Sequence, residues 1–204
     1  MKPHFEFPQP ARIETPRLLL RPMQEDDAPL IVEWRNEPSS RALFSTTRPI
    51  TLEQHLEWFH GERQGRVDYT VVRKDDGRPI GVVNFRNIDE DAGCAESGRL
   101  IGDLGSRGQG YAREAAVTWL TYGFGTLRLR KIIGMTRREN HINIALNRSL
   151  GYQMQAPEPT DDPDFLIMVL RYRDTLANEH FQRFRQISHA GGGDGCALET
   201  NNAL

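Results

Sequence analysis

The 204-residue chain is poor in cysteine: Cys94 and Cys196 are too few for a disulfide framework. Neither has a partner at metal-ligand spacing, so no metal is expected, and the compartment reads as reducing. Long apolar runs are also missing. Nothing approaches the ~20 residues that cross a bilayer. The start, residues 1–10, carries proline and charge but no apolar leader core. No signal peptide and no membrane partner are therefore expected, and the protein is placed in the cytoplasm. An excess of one charge is absent too. Twenty-six Lys and Arg against 28 Asp and Glu leave a net charge of −2, which gives no overall drive toward nucleic acid. One local exception is the basic group Arg128, Arg130, Lys131, Arg137 and Arg138. It reads either as a solvated surface or as a patch for an anionic ligand.

What is present is the patterning of one α/β domain. Residues 1–12 read as an arm, 13–173 as the domain, and 174–204 as a helix with a Gly-rich, disordered tail. Residues 13–21 open with a strand closed by Pro22. A helix capped by Asp26 or Asp27 follows, with Leu30, Ile31 and Trp34 at helical spacing, and it ends at Asn36-Glu37-Pro38. Thr51-Leu52-Glu53-Gln54 is a capping signature for a second helix. Strands at 68–73, 80–87 and 95–101, joined at Asp75-Asp76-Gly77 and Asp91-Ala92-Gly93, form a meander. Then come a long helix over 112–124, a strand at 129–136, a helix at 142–149 and a strand at 165–172. This order indicates a mixed sheet with a parallel portion. A last helix is expected over 175–187.

The most informative segment is Gly105-Ser106-Arg107-Gly108-Gln109-Gly110-Tyr111-Ala112, between a strand and a helix. Glycines let backbone amides approach a ligand, and a helix N-terminus adds partial positive charge. Together they suit a phosphate or pyrophosphate. A P-loop is excluded because the segment ends Gly-Tyr-Ala rather than Gly-Lys-Ser/Thr. A dinucleotide fingerprint is disfavoured by Arg113, which stands where a small residue is needed. A plain turn before a helix remains open on these residues alone.

Arg107-x-x-Gly110-x-Ala112 resembles the pyrophosphate signature of the GNAT N-acetyltransferases. Asn140 to Tyr152, with Asn143, Asn147 and a closing Leu150-Gly151-Tyr152, resembles that superfamily's second landmark. Glu14-Thr15-Pro16-Arg17-Leu18-Leu19-Leu20-Arg21 looks like the first strand of its ribosomal-protein-acetylating branch. The resemblance implies a mostly antiparallel sheet flanked by helices and splayed between its fourth and fifth strands, with acetyl-CoA as co-substrate and a homodimer by analogy. It implies that backbone groups of Leu100 and Ile101 pair with the pantetheine arm. Gly108, Gln109, Gly110, Tyr111 and Ala112 would hold the pyrophosphate, with Arg107 adding charge, and Asn140 and Asn147 would line the other wall. Asn140 equally suits a helix cap.

An amine acceptor must lose a proton before it attacks a thioester. Glu96, on the fourth strand, is the candidate general base; its alternative is the solvent face. His55 is a second candidate, through its near-neutral pKa. Many relatives carry a Tyr general acid where Asn147 stands, which leaves water, Tyr111 or Tyr152 to protonate the leaving thiolate. Trp34-Arg35-Asn36 with His55-x-x-Trp58 is similar to acetyltransferases of nucleotide-linked amino sugars. In that reading Trp34 and Trp58 stack on a ring and Arg35 forks onto a phosphate. In the other reading the tryptophans are core anchors. A small-molecule amine, foremost a nucleotide-linked amino sugar, is thus expected as acceptor. Protein N-terminal acetylation and a non-catalytic CoA-binding module are the alternatives.

Overall fold

The computed structural model describes residues 9–61, 63–157 and 162–182. The tail beyond residue 182, with Cys196, and most of the arm lie outside them. Strands β1 (Ile13–Glu14) and β2 (Leu18–Pro22) form a hairpin where one strand is expected. Helices α1 (Ala28–Asn36), α2 (Pro38–Arg41) and α3 (Leu52–His60) follow. The meander is β3 (Val67–Arg73), β4 (Pro79–Asp89) and β5 (Cys94–Ile101), each close to its expected span. Helix α4 (Tyr111–Gly125), β6 (Lys131–Arg137), α5 (His141–Ser149), β7 (Gln153–Met154), β8 (Phe165–Arg171) and α6 (Tyr172–Thr175) complete the described order.

All eight strands join one sheet in the order β1-β2-β3-β4-β5-β6-β8-β7. Among the described residues only β5 and β6 pair in parallel, and they do so through Cys94–Lys131, Ala95–Ile132 and Glu96–Ile133. Beyond those three pairs the strands part, while β5 stays on β4 and β6 on β8. The expected splay is there, between the fifth and sixth strands because the opening strand is a hairpin.

Strand parity sorts the side chains. Tyr69, Val83 and Phe85 lie on one face and pack on Trp119 and Tyr122 of α4, with Phe85 stacked on Trp119 at 4.8 Å. Gly123 lets α4 sit that close, since a Cβ there would stand 2.5 Å from the Phe85 ring. Arg99 stands opposite Val83 and shares this face. The other face carries Asp68, Asn84, Glu96, Gly98 and Leu100, under α1 and α3.

Two local expectations change. Thr51 and Gln54 make the reciprocal cap of α3 as their spacing predicts. Asp27 stands at the N-cap of α1 but does not cap it. Its carboxylate takes Arg21 at 2.7 Å through both oxygens, together with the Gln24 amide and the Thr70 hydroxyl. A charged partner within reach outcompetes one cap hydrogen bond. The helix expected over 175–187 breaks after Thr175; residues 179–182 turn helical again, and the rest lies outside the described residues.

Candidate active site

The site is the V between β5 and β6, with the mouth of α4 at its open end. Gly108 (φ +77°) and Gly110 (φ +84°) adopt left-handed backbone, which only glycine takes cheaply. Gly110 is the N-cap of α4, and no side chain among the described residues caps the helix. A Cβ on Gly108 would meet nothing within 4 Å among the described residues, which leave open space in front of that backbone. The first amides of α4 have no intrahelical acceptor by construction. Anion-seeking donors at an open cradle are what a pyrophosphate requires.

Arg17 borders this mouth. Its Nη1 donates to the Gln109 carbonyl at 3.0 Å, its Nε to Glu114 at 2.7 Å, and its guanidinium covers the Tyr111 ring at 4.5 Å. Arg107 turns away instead, donating to the Ile101 carbonyl at 3.1 Å and to the hydroxyls of Ser39 and Ser40. It ties α2 to the end of β5. Gln109 folds back on the Gly105 carbonyl, Tyr111 is buried under Arg17, and Ala112 is half-buried.

Inside the V, backbone direction decides which groups are free. The Leu100 carbonyl is turned towards Gly81 on β4, and the Gly102 amide donates to Ile80. By alternation the neighbours Arg99 and Ile101 face the gap, and Leu100 faces away. Asn140 accepts from the Asn143 amide at 3.0 Å, so its side chain caps α5. Asn147 is 2 % exposed and accepts from Arg99, while its amide nitrogen lies 3.6 Å from Met168 Sδ.

Glu96 lies on the α1–α3 face, partly buried. Its Oε2 accepts from Arg86 Nε at 2.8 Å and its Oε1 from Asn87 at 2.7 Å. Beside it runs the row Asp68–Asn84–Gly98, where a Cβ on Gly98 would meet Asn84 Oδ1 at 2.8 Å. His55 is buried, and its ring lies 5.1 Å from Trp58. Burial first, then the charge of Arg35, hold His55 below its usual pKa, against an opposing pull from Asp68. It is neutral at pH 7. His55 Nε2 and Asn84 Oδ1 are buried with no hydrogen-bond partner among the described residues.

The other substrate-site candidates divide. Trp34 is a core anchor: a Cβ on Gly102 would stand 2.0 Å from its ring. Asn36 is structural, since its amide exchanges hydrogen bonds of 2.8 and 2.9 Å with the Ile50 backbone. Arg35 stays near the site, its guanidinium 5.0 Å over Phe44. Trp58 is half-buried, and Arg66 covers its ring at 4.8 Å.

Arg63, Arg66, Arg17 and Arg99 border the candidate site, and the sequence reading passes over them. Arg17 stands in a quoted motif but read only as strand. Arg99 left one signal, a lone cation inside the strand at 95–101. Arg63 and Arg66 sit in a turn whose direction no local pattern sets.

A family model described as an acetyltransferase (GNAT) domain matches residues 17–153. The uncharacterized N-acetyltransferase p20 of Bacillus licheniformis is 29% identical over 148 residues, 69% of this chain and 82% of that protein. The crystal structure of spermidine N-acetyltransferase from Vibrio cholerae in complex with CoA and spermine superposes with a TM-score of 0.70 at 20% identity, over 79% of this chain and 99% of that one. A domain from Methanocaldococcus jannaschii reaches 0.67 at 22% identity, over 76% and 97%.

Proposed function

Because the chain belongs to the acetyltransferase (GNAT) domain family, we propose that it moves the acetyl group of acetyl-CoA by direct attack onto the primary amine of an anionic small molecule, a nucleotide-linked amino sugar. The enzyme is an acyltransferase of the N-acetyltransferase type. The observation that carries the acceptor class is the guanidinium cluster over the α1–α3 face. Arg35, Arg63 and Arg66 surround the His55–Trp58 corner, and among the described residues Asp68 is their one ion-pair partner. Three cations against one anion attract a phosphate-bearing acceptor. The same cluster disfavours a polycation such as the spermine bound by the Vibrio cholerae protein.

The residues fit acetyl-CoA. The α4 mouth with Gly108 and Gly110 holds the pyrophosphate, and Arg17 adds charge there. Arg99 and Ile101 backbone groups pair with the arm as an added strand would. Acetyl-CoA supplies an activated carbonyl with a thiolate leaving group. Glu96 accepts the amine proton on the acceptor face, directly or through one water. A V-facing backbone amide of β5 stabilises charge on the carbonyl oxygen. His55 Nε2 and Asn84 Oδ1 offer buried polar atoms to the hydroxyls and amine of a sugar.

The test is thiol release from acetyl-CoA across an amine panel of nucleotide-linked 4-amino sugars, free amino sugars, spermidine and N-terminal peptides. Turnover is expected to be greatest with the nucleotide-linked sugars and to fall at least tenfold without the diphosphate. Preference for spermidine or peptides overturns the acceptor class. Tight CoA binding without turnover of any amine overturns the enzymatic reading.

A further inference from the structure

Arg99 is a half-buried cation with no carboxylate partner among the described residues. Its backbone belongs to β5, three residues beyond the last β5–β6 pair at Glu96 and Ile133. Its side chain lies on the α4 face and crosses beneath the V to α5. There Nη2 donates to Asn143 Oδ1 at 2.6 Å and also to Asn147 Oδ1. Two amide dipoles hold the guanidinium without neutralising it, while Nε and Nη1 donate to nothing among the described residues. Asn143 is itself fixed by Thr136 of β6 at 2.8 Å. The titratable neighbour is Tyr152, whose buried hydroxyl is pushed up to about 12 by desolvation and so stays uncharged. A cation taken from water without a counter-charge is costly unless an anion joins it.

We infer that Arg99 is a catalytic residue that stabilises the departing CoA thiolate by charge, at the floor of the V and close to its closed end. The inference rests on the proposed acetyl transfer. An arm entering at the α4 mouth and reaching Glu96 passes Arg99 just before the reacting carbon. The amine nitrogen forms the C–N bond and gives its proton to Glu96. The C–S bond breaks, and its electron pair leaves on sulfur. Arg99 gives no proton, because guanidinium does not deprotonate at working pH. It pairs with the thiolate, which takes a proton from water after release. No tyrosine at the Asn147 position is then needed.

The experiment titrates the thiol of CoA bound to the full chain, read by thiolate absorbance and by comparing CoA with desulfo-CoA across pH. An adjacent guanidinium is expected to raise the thiolate-to-thiol ratio of bound CoA by roughly tenfold or more over free CoA. CoA should then gain on desulfo-CoA as pH rises. Arg99→Gln should abolish both effects and leave desulfo-CoA affinity within about twofold, and Arg99→Lys should restore part of each. Bound CoA that titrates like free CoA in the wild-type protein overturns the role of Arg99 and leaves acetyl transfer standing. That measurement needs no variant to fold. Failure of the wild-type protein to bind either ligand overturns both readings.

Discussion

Glu96 spends both carboxylate oxygens on neighbours, Arg86 and Asn87, so it is held in place before any acceptor arrives. Glu96→Gln keeps the shape and the Asn87 contact but cannot take a proton. Steady-state kinetics should show kcat/KM lowered by about two to four orders of magnitude, with CoA affinity by calorimetry unchanged. Unchanged turnover removes Glu96 from the chemistry. Asp27 shows a carboxylate doing a structural task. Burial alone would raise its pKa, but Arg21, the Gln24 amide and the Thr70 hydroxyl outweigh that and hold it below the usual carboxylate range. Its stabilisation is fully present above the unfolded value near 3.9 and is lost as pH falls through the lower folded value. Asp27→Asn should cost about 2 kcal/mol at pH 7 by urea denaturation, with Arg21's part exposure taken into account. The gap to wild type should narrow below about pH 4. A gap constant with pH contradicts the ion-pair account.

The α4 mouth is an element-scale device, and its glycines can be tested against a control elsewhere. Gly108 and Gly77 share a left-handed backbone, at φ +77° and +70°, and a Cβ on either meets nothing within 4 Å. Gly77 sits in the β3–β4 turn, away from the V. Ala at either position should cost a similar 1–2 kcal/mol of stability. Only Gly108→Ala should weaken CoA binding, by tenfold or more, because its methyl enters the phosphate space. Equal CoA affinity in both variants argues against the cradle. This element was readable because its signals are local: the preceding strand, the glycine spacing and the following helix form one continuous stretch from Cys94 to Gly125. The α3 cap and the meander turns were readable for the same reason. The cation sites were not. Arg99, Arg63 and Arg66 matter through partners set by strand parity and helix packing, such as Asn143 at 44 residues' separation from Arg99. Asp27 has a cap's identity and position, yet Thr70, 43 residues away, helps take it elsewhere. Trp34 and Asn36 fell in a suggestive motif, but Gly102 and Ile50 claim them for packing.

At the scale of the molecule the sheet is two antiparallel sets, β1 to β5 and β6, β8, β7, joined by three parallel pairs. A ligand in the V would supply the missing strand between them, and ligand binding to the folded state alone raises stability by mass action. CoA at about 100 times its Kd should add about 2.7 kcal/mol, which is roughly 5–10 °C in the melting midpoint for a chain of this size. The pattern of protection is more diagnostic than its amount. The Leu100 carbonyl faces β4, and parity places its amide on the same side, already within the β4–β5 ladder. The Arg99 and Ile101 amides face the gap. Hydrogen exchange resolved to single amides should therefore slow at Arg99, Ile101 and the α4 mouth when CoA binds, with little change at Leu100. Uniform slowing along β5 would signal general tightening instead of an added strand. Slowing at Leu100 alone would reverse the parity, turn Arg99 away from the ligand's path, and overturn the geometry of the V described above.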